Sequence, residues 1–344
     1  MRILFKMNKA NQQRQLEKLV DVYPVLYAMQ ATYFRNEGND VIWGGEDDGS
    51  FDVVYNNDME PKIEFTKLPY PDRVFTNAKD KKYQSYGNYI RNPASHILSS
   101  NLCWWSRCVF CQDTQRMQEG EGRGVRSVDH VLEEIDNCIS LGFRELFDDA
   151  GTIPNKGWLE EFCNKMIYSG RNKKILIGCN SIVMKMPWEL MKKAGFRFIL
   201  LGIESANQKT LDKINKVQDA SKIIEVIKAG SKAGLDMHGT FMTGYPWETE
   251  EDEKKTISLC HYLLRKGYLK TAQASVYSPP RTQPDATSPG HIYLPRFYDV
   301  YRHPEFWWNK IKSIRRVEDF TYLMRGARLV IEEKVRKACL KKSA

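Results

Sequence analysis

The chain has 344 residues, 42% of them hydrophobic, and a net charge of +9. That composition sustains a large core and excludes a disordered, collagen-like or low-complexity chain. The basic residues are spread along the chain and are densest from Lys334 to Lys342. This reads as a solvated helix face rather than a nucleic-acid-binding module, which would cluster its cations with stacking aromatics.

Residues 1–85 read as a small α/β piece, with a strand at 1–5, a helix at 23–35, a turn at Gly38 and a second strand at 40–43. The stretch 55–72, with Pro61, Pro69 and Pro71, reads as a linker. Met1-Arg2-Ile3-Leu4-Phe5-Lys6 is too short and too charged for a secretory signal. No apolar run approaches the roughly 20 residues of a bilayer-spanning helix, so the cytoplasm is the expected compartment.

From about residue 94 to 280, strand-like and helix-like segments alternate. The predicted strands are 96–98, 143–147, 174–179, 197–203, 237–243 and 271–277, each rich in apolar or β-branched residues. Between them, Val128, Val131, Leu132, Ile135 and Ile139 share one helical face, with Ser127 as start and Gly142 as stop. A second helix, 219–233, buries Ile223, Ile224 and Ile227. A third, 249–266, opens on Glu250, Glu251, Asp252 and Glu253 and closes on Arg265 and Lys266, the order the helix dipole favours. Such alternation implies βαβ units and a parallel sheet. The expected fold is α/β, a partial (β/α)6 TIM-like barrel over residues 86–285. Residues 286–344 follow as a C-terminal helical extension, with helices at 296–313 and 317–340.

Chemistry in parallel α/β folds gathers at the C-terminal ends of the strands. The unusual residues of this chain lie there: the loop around Cys103, then Asp148-Asp149-Ala150-Gly151, Asn180-Ser181, Gly202-Ile203-Glu204-Ser205, Gly244-Tyr245-Pro246 and Ser278-Pro279-Pro280.

Of eight cysteines, Cys138, Cys163, Cys179, Cys260 and Cys339 are scattered among apolar positions and read as core. The other three share Cys103-Trp104-Trp105-Ser106-Arg107-Cys108-Val109-Phe110-Cys111. Three thiolates on one loop suit a soft metal site. A [4Fe–4S] cluster normally takes four cysteines, so three would leave one iron open to a ligand. The residues alone also allow a zinc site completed by His96 or His130, or a closed cluster that recruits Cys179. A non-catalytic zinc or iron–sulfur binding module is therefore the alternative function.

The loop resembles that of the radical S-adenosylmethionine (SAM) superfamily, and the resemblance extends over roughly residues 90–285. The family spacing is C-x-x-x-C-x-aromatic-C; this chain has one extra residue between Cys103 and Cys108 and keeps the aromatic at Phe110. The resemblance implies that Cys103, Cys108 and Cys111 hold a [4Fe–4S] cluster whose open iron chelates SAM. An electron from the cluster would then break a C–S bond of the sulfonium, and the 5′-deoxyadenosyl radical would take a hydrogen atom from an unnamed substrate. Methyl transfer and cyclisation are the candidate outcomes. Reduced ferredoxin or flavodoxin is the implied electron donor.

By the same resemblance, Phe110 would lie beside the adenine and Asp148-Asp149 would stand where a Gly-Gly-Glu-like turn meets the methionyl amino group. Asn180, Ser181, Glu204, Ser205 and Gly244 complete the expected cofactor contacts. The Asp-Asp form, Gly202-Ile203-Glu204-Ser205 and Gly244-Tyr245-Pro246-Trp247-Glu248-Thr249 are similar to the cobalamin-associated branch that includes anaerobic magnesium-protoporphyrin cyclases. Tyr277-Ser278-Pro279-Pro280-Arg281-Thr282 resembles a Pro-Gly-Thr turn with Arg281 in place of the glycine. Residues 1–85 look like a truncated, Rossmann-like cobalamin-binding segment and its linker. They are too short for a complete domain, and the D-x-H-x-x-G motif is missing. Asp236-Met237-His238 comes nearest but sits in a predicted strand. Cobalamin is thus a disfavoured third cofactor.

Overall fold

The computed structural model describes residues 64–79, 89–154, 156–278 and 293–314, the short segments 2–5, 41–44 and 52–55, and residues 29, 32, 317, 319, 320, 323 and 324. Six strands form one parallel sheet in chain order: β4 (Ala94–Ile97), β5 (Glu145–Asp148), β6 (Leu176–Ile182), β7 (Phe196–Glu204), β8 (Asp236–Thr243) and β9 (Thr271–Val276). Every neighbouring pair is parallel. This is the expected partial (β/α)6 barrel. Strand β6 runs beyond its predicted end, so Asn180 and Ser181 lie within the strand rather than after it.

Alternation along the strands sorts their side chains. Ile97, Leu146, Ile177, Cys179, Ile199, Leu201, Met237 and Phe241 join the apolar core with the flanking helices. The intervening residues face the opposite side, the lumen. There His96, Phe147, Phe198 and His238 form a chain of ring contacts with centroids 5.9, 6.1 and 5.7 Å apart. Gly178 is required between them, because a Cβ there would lie 2.7 Å from the Phe147 ring. At the N-terminal ends of the strands, Arg197 joins Glu145 and Asp236 through hydrogen bonds of 2.7 and 2.9 Å.

The helices begin and end where their sequences dictate. In α2 (Val128–Ser140) the Ser127 side chain accepts from the His130 N–H, and Val128, Val131, Leu132, Ile135 and Cys138 are buried. In α7 (Glu250–Arg265) Thr249 and Asp252 form a capping box, and Ile257, Cys260, Leu263 and Leu264 are buried. The remaining barrel helices are α1 (Gln112–Gln118), α3 (Lys156–Tyr168), α4 (Trp188–Lys193), α5 (Gln208–Lys213) and α6 (Ile223–Lys232).

Edge strand β4 is clamped by a buried ionic triad. Glu134 of α2 accepts from Arg73 and from Arg126, each at 2.5 Å. The same two guanidinium groups donate to the carbonyls of His96 and Leu98 at 2.7 and 3.1 Å. All three side chains are essentially inaccessible. The triad ties the segment after the predicted linker to the strand that leads into the cysteine loop.

Near the N-terminus, β1 (Arg2–Phe5) pairs parallel with β3 (Asp52–Tyr55), and β2 (Val41–Gly44) pairs antiparallel with β3. Strands β1 and β2 fall at the two predicted positions. Strand β3 ends at Tyr55, the first residue of the stretch read as linker. Of the helix expected at 23–35 only Met29 and Thr32 are described, both helical and buried. Met29 packs with Phe65, Leu68, Leu98 and Ala150.

The single helix expected at 296–313 is two elements, a 3-10 helix (Leu294–Arg302) and α8 (Pro304–Lys312). The break has a local cause: His303, ahead of a proline, is extended, with ψ of 124°. Most of the expected helix 317–340, Cys339 and the turn at Pro279, Pro280 and Arg281 lie outside the described residues. Among the described residues no helix is long and apolar enough to cross a membrane.

Candidate functional site

The cysteine loop leaves β4 at the C-terminal end of the sheet and is held from both sides. On the β5 side, Asp113 accepts from the Cys103 N–H at 2.6 Å and pairs with Arg116 at 3.5 Å. Gly151 makes this approach feasible, because a Cβ there would lie 2.2 Å from the Asp113 carboxylate and 3.1 Å from the Cys103 Cβ. On the other side, the segment after α5 lies against the loop. The Val109 N–H donates to the Ile214 carbonyl at 3.1 Å and the Trp105 indole N–H to the Asn215 carbonyl at 2.7 Å. The Cys108 thiol reaches that same carbonyl at 3.8 Å. Within the loop, Ser106 adopts φ of +38° and its hydroxyl donates to the Cys103 carbonyl. The five-residue step from Cys103 to Cys108 is thus accommodated by one left-handed turn and a docked tryptophan.

Burial pushes the Cys108 thiol up to about 12 and the Cys111 thiol up to about 11. Cys103 is also raised, and burial is again the main cause. Cys103 and Cys111 each act electrostatically on Cys108, so the three thiols share one neighbourhood. Lys216 opposes the rise at Cys103 and Cys108. Its ammonium is 2.9 Å from the Glu204 carboxylate, and both side chains are less than a tenth exposed. Among the described residues no three histidine, cysteine or acidic side chains converge to hold a single metal ion. His96 faces Asp149 and His130 faces Arg126, so neither joins the thiols in such a cage. Cys179 is fully buried in the core. Three sulfur donors on one loop suit a polynuclear iron–sulfur cluster in donor chemistry.

The other candidate residues divide by what holds them. Asp148 is 2% exposed, and its carboxylate accepts from the Ser99 N–H and hydroxyl and from the Ala150 N–H. Asp149 faces the lumen with 22% of its side chain exposed and lies 3.8 Å from His96 Nδ1. Burial, then the neighbouring Asp148, pushes Asp149 up to about 7, while an Asn180 hydrogen bond pulls the other way. Asn180 also donates to the Ala150 carbonyl at 3.0 Å. Burial lowers His96 to about 4, which leaves a neutral imidazole beside that carboxyl. The Ser181 hydroxyl bonds the Ile182 carbonyl at 3.1 Å.

Glu204 sits at φ of +64°, a left-handed conformation that non-glycine residues rarely adopt. The Ser205 hydroxyl donates to Glu248 at 2.8 Å and lies 3.3 Å from that of Thr256. Gly244, at φ of +83°, donates its N–H to Glu253 and opens the turn into α7. Phe110 packs against a small cluster of Leu211, Ile214, Tyr245 and Tyr277. Phe110, Asp149, Asn180 and Glu204 therefore stand nearest to open space or to the loop, while Asp148, Ser181, Ser205 and Gly244 are engaged in the framework. Sequence reasoning missed Asp113, Trp105, Asn215 and Lys216. In a list of residues each is an ordinary surface polar or aromatic side chain.

Residues 97–260 match the Radical SAM superfamily. The chain is 32% identical over 210 residues to an anaerobic magnesium-protoporphyrin IX monomethyl ester cyclase of Cereibacter sphaeroides, a match covering 60% of this chain and 33% of that protein. It is 28% identical over 176 residues to an uncharacterized methyltransferase of Pyrococcus horikoshii, covering 50% of this chain and 37% of that one. The chain thus spans well under half the length of these curated relatives. Among solved structures, the cobalamin-dependent SAM radical enzyme OxsB with aqua-cobalamin bound aligns with a TM-score of 0.47 at 17% identity, covering 77% of this chain and 36% of that one.

Proposed function

We propose, from the match of residues 97–260 to the Radical SAM superfamily, that the chain is a radical SAM enzyme whose cluster is held by Cys103, Cys108 and Cys111. One observation carries this reading: three free thiols share a single loop at the C-terminal mouth of a six-stranded parallel half-barrel. When bound, a [4Fe–4S] cluster and SAM supply reductive cleavage of the sulfonium and a 5′-deoxyadenosyl radical. The chain's own residues bind and orient. Asp113 fixes the backbone of Cys103. Asp149, held by Asn180 beside neutral His96, offers a lumen-facing carboxyl to the methionyl ammonium. Asp148 acts behind it by tying the β5 turn to Ser99. Phe110 offers an apolar face to the adenine.

The substrate is a small molecule that enters the same lumen, and a reduced ferredoxin or flavodoxin is the donor this chemistry asks for. Two candidate outcomes, cyclisation and methyl transfer, come from the names of the relatives.

The test is anaerobic reconstitution with iron and sulfide, then reduction with dithionite in the presence of SAM. The expected result is a brown protein that forms 5′-deoxyadenosine. Alanine in place of any one of the three cysteines should abolish that product. Undiminished product from such a variant, or one bound zinc with no iron, refutes the assignment.

A further inference from the structure

The segment that follows β7 brings a buried cation to the cysteine loop. Three contacts seat this segment: Val109 on the Ile214 carbonyl, and Trp105 and Cys108 on the Asn215 carbonyl. Asn215 takes a left-handed turn at φ of +55°, and the next residue is Lys216. The side chain of Lys216 is 9% exposed. It runs past Gly202, where an added Cβ would lie 2.6 Å from its nitrogen, and ends on Glu204. Both turns that frame this ammonium, at Glu204 and Asn215, hold non-glycine residues in a conformation that is disfavoured unless the surroundings impose it. The carbonyl of Asn215, the residue before Lys216, lies 3.8 Å from the Cys108 sulfur, and Lys216 acts on that thiol more strongly than its partner Glu204 does.

Net charge around an iron–sulfur cluster and its solvent exposure set the reduction potential. A charge held out of water acts over several ångströms with little screening. We propose that Lys216, seated by the docking of Trp105 on Asn215, is a positioning residue that places a fixed positive charge beside the three sulfur ligands and raises the reduction potential of their cluster. This rests on the assignment of Cys103, Cys108 and Cys111 as cluster ligands. It gives the extra residue of the loop a purpose: the longer step from Cys103 to Cys108 carries the tryptophan that locks the lysine-bearing segment in place.

The test is a potentiometric titration of the reconstituted full chain, followed by the electron paramagnetic resonance of the reduced cluster, without SAM. Lys216→Met should move the midpoint to a more negative potential, and Lys216→Arg should restore it. Glu204→Gln, which removes the opposing charge, should move it to a more positive value. Trp105→Phe, which keeps the ring and loses the donor, should move it part of the way toward Lys216→Met. If Lys216→Met fails to load iron, the opposite shifts of Glu204→Gln and Trp105→Phe carry the same decision. Unchanged midpoints, shifts of one sign in all variants, or a shift that arises only once SAM is added overturn the proposal. A wild-type chain that takes up no iron under reconstitution refutes the cluster assignment itself, a result distinct from a cluster whose potential ignores Lys216.

Discussion

Asp149→Asn separates the function of the lumen carboxyl from its effect on stability. In the fold the carboxyl is pushed from an ordinary 3.8 up to about 7, first by burial and next by Asp148. His96, neutral at physiological pH, offers it no compensating cation. A carboxyl whose pKa is higher folded than unfolded binds more protons in the native state, so stability falls as pH rises between the two values. Below about pH 3.8 Asp149 is protonated in both states and adds no penalty, and at pH 4.5 the penalty is about 1 kcal/mol. Above pH 7 it is ionised in both states and the full penalty applies. A rise of this size corresponds to about 4 kcal/mol at most, at 1.36 kcal/mol for each pH unit. Loss of part of the Asn180 hydrogen bond offsets about 1 kcal/mol. Asparagine should therefore raise the free energy of unfolding in urea by about 3 kcal/mol at pH 8 and change it little at pH 4.5. The same variant should bind SAM poorly in equilibrium dialysis, because an amide cannot neutralise an ammonium. In the wild type, SAM affinity should fall about tenfold per pH unit below pH 7, as the carboxyl must ionise to bind. Equal stability changes at the two pH values would refute the raised carboxyl. Unaltered SAM affinity would refute its contact with the ammonium.

Two further substitutions probe how the site is held. Glu134→Ala leaves Arg73 and Arg126 buried without their carboxylate and should cost about 3–5 kcal/mol in chemical denaturation; a loss below about 1 kcal/mol would show that the triad does not clamp β4. Gly151→Ala forces a methyl group into the Asp113 carboxylate and the Cys103 side chain. It should lower stability by about 1–3 kcal/mol and reduce iron per chain after reconstitution, whereas full iron content would mean that the β5 turn does not seat the cysteine loop.

The barrel and the cysteine loop were legible in the sequence because their signals are local. Six apolar segments, separated by helical stretches with Ser127, Gly142 and Thr249 at their ends, fix strand number and direction through short-range patterning. Three cysteines within nine residues stand out as a candidate sulfur site whatever surrounds them. Where the local pattern weakens, the reading was coarser. Strand β6 extends past its predicted end because Asn180 is polar but points into the lumen rather than into a turn. The helix at the C-terminal side breaks at His303 because Pro304 constrains the residue before it.

The sequence by itself determined the class of fold and the gathering of three cysteines on one loop, since each depends on neighbours along the chain. Tertiary structure alone decided the partners. Trp105 meets Asn215 across 110 positions, Arg73 meets Glu134 across 61, and Asn180 meets the turn at Ala150 across 30. Which of two adjacent aspartates faces the lumen, and which lysine among many is buried beside the thiols, follows from strand register and from the angle at which the loop after β7 returns. Those are set by packing over the whole barrel, and no short stretch of residues encodes them.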